Sequence, residues 1–128
     1  MTVADASTPP PLHELEARVM DIVWDHDTMT VREALEVVNA QGRKALAYTT
    51  IMTIMGRLHQ KGVLDRERNG RTDVYRARHS REEYMELRAR AEVDALVEQF
   101  GDTALLHFTR QVQKLDPKRR DQLRRMAR

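Results

Sequence analysis

Asn69-Gly70 does more than any other feature to limit the folds open to this chain. The pair stands between two β-type runs in "VLDRERNGRTDVYRAR", in a sequence whose other periodic segments are helical. Asn-Gly between such runs is the strongest short-range hairpin signal, because both central positions of the tight turn need φ > 0. With Asn69-Gly70 at those positions, Leu64 is expected opposite Tyr75, Arg66 opposite Asp73 and Arg68 opposite Arg71. Two arginines side by side at a hairpin tip repel. Either an anion sits near them, or the tip is exposed and the repulsion costs little.

Short one-faced helices surround this hairpin. Leu12, Leu15, Val19, Ile22 and Val23 form a helical stripe, with Met20 and Trp24 on its flank, and predict a helix from about Leu12 to His26. "TVRE" (Thr30 to Glu33) has capping-box spacing. It opens a second helix, with Val31, Ala34, Leu35 and Val38 on one face, ending near Gly42. "ALAY" (Ala45 to Tyr48) reads as a short strand. A third helix follows, with Ile51, Ile54, Met55 and Leu58 as its stripe, and Gly62 stops it.

After the hairpin, "SREE" (Ser80 to Glu83) is a second capping box. It opens a long helix that is apolar on two sides, Tyr84, Leu87, Ala91 and Ala95 on one and Val93, Leu96, Val97 and Phe100 on the other. Such a helix needs partners on both. Gly101 breaks it. Ala104, Leu105, Phe108, Val112 and Leu115 give another stripe, and Asp116-Pro117 reads as N-cap and N1 of a last helix carrying Leu123 and Met126. Three prolines before Leu12 suggest a disordered leader. The expected organisation is a leader over 1–11, a compact domain over 12–79 and a helical dimerisation segment over 80–128.

Helix, helix, short strand, helix, hairpin is the order of a winged helix-turn-helix, so the fold class is mainly α with a small β-wing. The third helix is then the reading helix. Opposite its apolar stripe lie Thr49, Thr53, Gly56 and Gln60, a small, hydrogen-bonding face with no charge. Hydroxyls and amides bond base edges or phosphates, threonine methyls meet thymine methyls, and Gly56 allows close approach. Thr49 and Thr50 stand at the helix start, where free N–H groups favour a phosphate. Plain N-capping is the competing role for these threonines.

Charge supports the same reading. Residues 12–42 carry two basic and seven acidic side chains, whereas residues 43–78 carry nine basic and three acidic. A basic block of this kind is either a footprint for phosphate or a solvated surface. Here Arg43, Lys44, Arg57, Lys61, Arg66, Arg68 and Arg71 surround the uncharged face in sequence.

"LHELEARVMDIVW", "TVREALE" and "AYTTIMTIMGRLHQKGVLDRERNGRTDVYRA" resemble the penicillinase-repressor family of bacterial transcription regulators (the BlaI/MecI type, with copper-responsive CopY relatives). The resemblance runs from Leu12 to about Leu115. It implies a homodimeric winged-helix repressor that binds an inverted-repeat DNA operator of TACA/TGTA character. It also implies a dimer interface from Ser80 onward, assigned here to Tyr84, Leu87, Ala91, Val93, Leu96, Val97, Phe100, Leu105, Phe108, Val112 and Leu115. In antibiotic-resistance members a membrane sensor-protease signals and the repressor is cut between Asn and Phe. The matching place here is His107-Phe108, where Phe is kept and Asn is not. Copper-responsive members carry a cysteine metal hook, and this chain has no cysteine.

The absence of cysteine also removes disulfides, thiolate metal sites and cysteine nucleophiles. It fits a reducing cytoplasm. The start has neither the basic nor the apolar region of a secretory signal, and no run is long and apolar enough to span a membrane. The histidines (His13, His26, His59, His79, His107) show no i, i+4 ligand spacing, and there is no glycine-rich phosphate loop or nucleophile elbow. No cofactor, metal or catalysis is expected. A ligand-gated winged-helix regulator without proteolytic induction is the alternative reading, though aromatic residues to line its pocket make up only 5% of the chain.

Overall fold

The computed structural model describes residues 8–42 and 44–128; Arg43 and residues 1–7 of the expected leader lie outside them. The elements in order are α1 (Glu14–Trp24), α2 (Val31–Gln41), α3 (Tyr48–Gln60), β1 (Leu64–Asn69), β2 (Thr72–Ala77), α4 (Arg81–Phe100), α5 (Asp102–Gln113) and α6 (Pro117–Met126). The chain divides into two compact units, Met1–Arg88 and Ala89–Arg128.

In the first unit the stripes of α1, α2 and α3 meet in one core. Val19, Met20, Val23, Ala34, Val38, Ile51, Met55 and Leu58 are fully buried in it. Polar groups close the helix ends. Thr30 Oγ1 accepts from the Glu33 N–H at 3.2 Å while Glu33 Oε1 accepts from the Thr30 N–H at 3.0 Å, the capping box that "TVRE" predicts. Ahead of α1, the His13 N–H donates to Glu16 Oε1 at 2.9 Å.

Among the described residues Glu16 is the buried charged side chain, 4% exposed. Its Oε1 also takes the Lys61 ammonium at 2.7 Å. Burial pushes the Glu16 carboxyl up, but the Lys61 ammonium and the His13 N–H more than offset this, and it titrates below its ordinary range. The pair ties the start of α1 to the end of α3.

Two local expectations are corrected. "ALAY" is not a strand: residues 45–47 carry no strand pairing. The Asn39 side chain fastens this segment instead, accepting from the Leu46 N–H at 2.7 Å and donating to its carbonyl at 3.2 Å. The place beside β2 is taken by Met29, which exchanges two backbone hydrogen bonds with Tyr75.

The hairpin exists, but its register differs by two residues. Asn69 pairs with Thr72, so the turn is Gly70-Arg71. Gly70 has φ +64°, and no described non-glycine residue has positive φ. A two-residue turn with glycine first needs positive φ only there, so Asn69 is free to be the last rung of the ladder. Leu64 therefore faces Ala77, Arg66 faces Tyr75, and Arg68 faces Asp73. Because the shift is even, each side chain keeps its face of the ribbon.

The first unit also extends beyond 12–79 at both ends. Pro9, placed in the leader by the sequence, is buried. Tyr84, expected at the dimer interface, is buried in this unit, its ring 5.3 Å from that of Trp24. Its hydroxyl donates to the Pro10 carbonyl at 3.0 Å, and Arg88 donates to the Pro9 carbonyl at 3.0 Å. An aromatic ring with a core partner nearby buries itself there, which removes Tyr84 from the dimer set.

The second unit holds the rest of α4 with α5 and α6. Asp116 caps α6 by accepting from the Arg119 N–H at 2.9 Å, with Pro117 in its first turn, as the sequence predicts. Among the described residues α5 and α6 bury no side chain. Val93, Leu96, Phe100, Leu105, Leu106 and Val112 are exposed, while Ala91, Val97, Phe108 and Leu115 are half-buried.

Candidate nucleic-acid interface

One face of α3 is spent on the core and the opposite face is open. Ile51, Ile54, Met55 and Leu58 point inward. Thr49, Thr53 and Gln60 are exposed on the other side, and Gly56 stands among them. A Cβ built at Gly56 meets nothing within 4 Å. The glycine therefore answers to no packing need within the chain, and it lowers the height of this face where another surface would approach.

The capping role of the threonines is corrected by the helix start. The N-cap of α3 is Ala47, which makes no side-chain cap. Thr49 and Thr50 lie inside the helix, Thr49 exposed and Thr50 half-buried.

Two grooves flank this ridge. On the α1 side, His13, Leu15, Thr50, Ile54 and Arg57 line a depression of about 440 Å³ that Thr49 and Thr53 also edge. On the wing side, Thr30, Arg32, Tyr48, Met52, Arg71 and Tyr75 are among the residues lining one of about 380 Å³. The exposed face of α3 thus stands between two depressions.

The basic residues divide by what they touch. Lys44, Arg57, Arg66 and Arg71 are exposed. Arg68 is exposed too, but it bonds the Gly70 carbonyl at 3.1 Å and lies 3.4 Å from Asp73. The register that set Arg68 opposite Arg71 is overturned: Arg68 faces Asp73, and Arg71 stands in the turn. Lys61 is engaged by Glu16, which removes it from the exposed basic set. Arg43 lies outside the described residues.

Three residues beside the face were not in the sequence-derived set. Tyr48 and Met52 are 42% and 46% exposed on the wing side of α3. The Arg32 guanidinium lies over the Tyr48 ring, 5.5 Å from its centre. The sequence held a signal for the first two: they lie four apart, next to the apolar stripe but outside it. Arg32 had none, since its neighbour in space is sixteen residues away in sequence.

Among the described residues no group of histidine and acidic side chains could hold a metal ion, and no helix is long and apolar enough to cross a membrane.

Known proteins resemble this chain. Residues 12–128 match the family described as penicillinase repressor. The transcriptional regulator BlaI of Mycobacterium tuberculosis is 39% identical over 106 residues, covering 79% of this chain and 73% of that protein. The penicillinase repressor of Bacillus licheniformis is 23% identical over 99 residues, covering 77% of this chain and 76% of its own. The solution structure of the DNA-binding domain of the repressor BlaI aligns with a TM-score of 0.51 at 27% identity, over 59% of this chain and 89% of that one.

Proposed function

Since this chain belongs to the penicillinase repressor family of winged-helix transcription regulators, we propose that it is a homodimeric repressor that binds an inverted-repeat DNA operator. The observation that carries this reading is the open face of α3. It presents Thr49, Thr53 and an unobstructed Gly56, with exposed Arg57 beside it and Arg66 and Arg71 on the wing. Hydroxyls and small residues let a helix come close enough to touch base edges, and the arginines hold the backbone.

Dimerisation belongs to the second unit in this reading. Val93, Leu96 and Phe100 lie exposed on the part of α4 beyond Arg88, and Leu105 and Val112 on α5, which buries no side chain among the described residues. A second copy of the same surface is the cover that a dyad operator calls for.

Repression is relieved by loss of dimerisation. A dimer binds its second half-site at an effective concentration on the order of millimolar, which raises affinity about 10²- to 10⁴-fold. Any event that separates the halves empties the operator while every DNA-facing residue stays intact. A cut at His107-Phe108 by a membrane sensor-protease is one route. His107 is exposed and Phe108 half-buried on α5, so the helix must open locally before cleavage.

Gel-shift titration with a TACA/TGTA inverted-repeat duplex tests the DNA reading. With roughly 6–10 phosphate contacts, affinity falls about 10³- to 10⁵-fold between 50 and 200 mM salt; a flat response ends the proposal. Gly56→Glu should abolish the shift while the thermal melt stays unchanged, since nothing lies within 4 Å of the added carbon. Mass spectrometry of the chain from induced and uninduced cells tests the relief step. An intact, still dimeric chain under induction counts against the whole relief mechanism, and an intact monomer only against the cut.

A further inference from the structure

The wing-side groove brings together residues from three elements: Thr30, Val31 and Arg32 at the start of α2, Tyr48 and Met52 of α3, and Arg71 to Asp73 with Tyr75 of the wing. Resting on the DNA-binding reading above, we propose that this groove seats the DNA backbone. Arg32 contacts a phosphodiester beside the one held by Arg71, and Tyr48 is the positioning residue that holds Arg32 in place.

The charges in the groove favour this assignment. Among the described residues Asp73 is its one acidic lining residue, and Arg68 lies 3.4 Å from that carboxylate. Arg32 and Arg71 have no ion pair with a described carboxylate. Two guanidinium groups from elements about forty residues apart in sequence therefore line one open groove, neither of them in an ion pair with a described carboxylate. Guanidinium is the side chain best matched to phosphate, giving two parallel N–H donors to two oxygens.

Tyr48 supplies order. An exposed arginine loses rotamer freedom when it binds, and that cost subtracts from affinity. Arg32 already lies over the Tyr48 ring at 5.5 Å. Stacking occupies a face of the guanidinium and leaves its N–H edge available. Tyr48 and Met52 also expose apolar surface that nothing in the first unit covers. Deoxyribose, which lies between successive phosphates, is apolar enough to rest on it.

The contact is to the backbone, so it acts on every sequence alike, and a labelled random duplex of about 25 base pairs is the appropriate probe. Fluorescence anisotropy of the full chain gives affinity across a salt series. Arg32→Ala should lower the slope of log affinity against log salt by about 0.9 per bound chain, and should weaken the random and the TACA/TGTA duplex by the same factor. Arg32→Lys should keep the slope. Tyr48→Phe should match the parent, whereas Tyr48→Leu should weaken both duplexes several-fold. A lost folding capacity would appear in thermal melts, which should be unchanged for these exposed positions. Sodium phosphate at matched ionic strength should not compete; competition that vanishes in Arg32→Ala would make the groove a free-phosphate site and overturn the proposal. A steep parent slope that Arg32→Ala leaves unaltered also overturns it, with DNA binding intact. A flat parent slope overturns the DNA reading and this inference with it.

Discussion

The two units use their apolar side chains in opposite ways. Up to Arg88, the stripes of three helices face each other and the wing closes the core, so Leu58, Met55 and Val19 are fully buried. From Ala89 on, three helical segments leave Leu96, Phe100, Leu105 and Val112 in the open. What differs is whether a facing stripe in the same chain covers these side chains. The first unit covers its stripes from within, and the second leaves its own exposed.

Truncation tests this contrast most severely. A chain ended after Arg88 should melt cooperatively, sediment as a monomer and bind the inverted-repeat duplex about 10²- to 10⁴-fold more weakly than the full chain. If it still dimerises, the interface lies in the winged helix. Ending after His79 instead removes Tyr84 from its place against Trp24. That should cost about 3–5 kcal/mol of stability, read by urea unfolding of the two truncated chains.

Single apolar residues give the next contrast. Leu58→Ala should cost about 2–5 kcal/mol at any protein concentration. Leu96→Ala should leave the unfolding of the first unit unchanged and instead weaken dimerisation, seen as a sedimentation profile that shifts with concentration. A concentration-independent loss for Leu96→Ala would mean that the second unit has a core of its own.

Glu16 and Lys61 sharpen the picture of the first unit. The folded-state pKa of Glu16 is depressed, so its stabilisation is present above the unfolded value, ordinarily about 4.3. It is lost as pH falls through the lower folded value. Lys61→Met leaves a buried carboxylate without its cation and should cost about 1–3 kcal/mol at pH 7. The cost should shrink on the acid side, where Glu16 takes a proton. Equal losses at both ends, measured by urea melts, would assign the effect to packing of the lysine stem.

The smallest expected effect separates two wing arginines. Arg71→Ala should lower the salt slope of DNA binding by about 0.9 per bound chain. Arg68→Ala should lower it less, because Arg68 is held by Asp73 and the Gly70 carbonyl. Equal slopes would mean that DNA pulls Arg68 away from its internal partners.

The sequence alone determined the helices, their stripes, the caps at Thr30 and Asp116, the existence of the hairpin and the uncharged face of α3. These follow from periodicities and from hydrogen bonds that span three or four residues, so they are written locally. Tertiary structure decided everything that depends on residues far apart in the chain. The wing register is local but was left open by the sequence: either position of the Asn69-Gly70 pair gives a hairpin, and the glycine-first turn that formed set Arg68 opposite Asp73. Lys61 looked like a DNA contact until α1 brought Glu16 to it, 45 residues away. Tyr84 looked like part of an exposed stripe until Trp24 and Pro10 enclosed it. Arg32 carried no sequence signal, because its partner Tyr48 comes close only when α2 and α3 cross. In each case the side chain's chemistry was fixed by the sequence, and only the fold chose its partner.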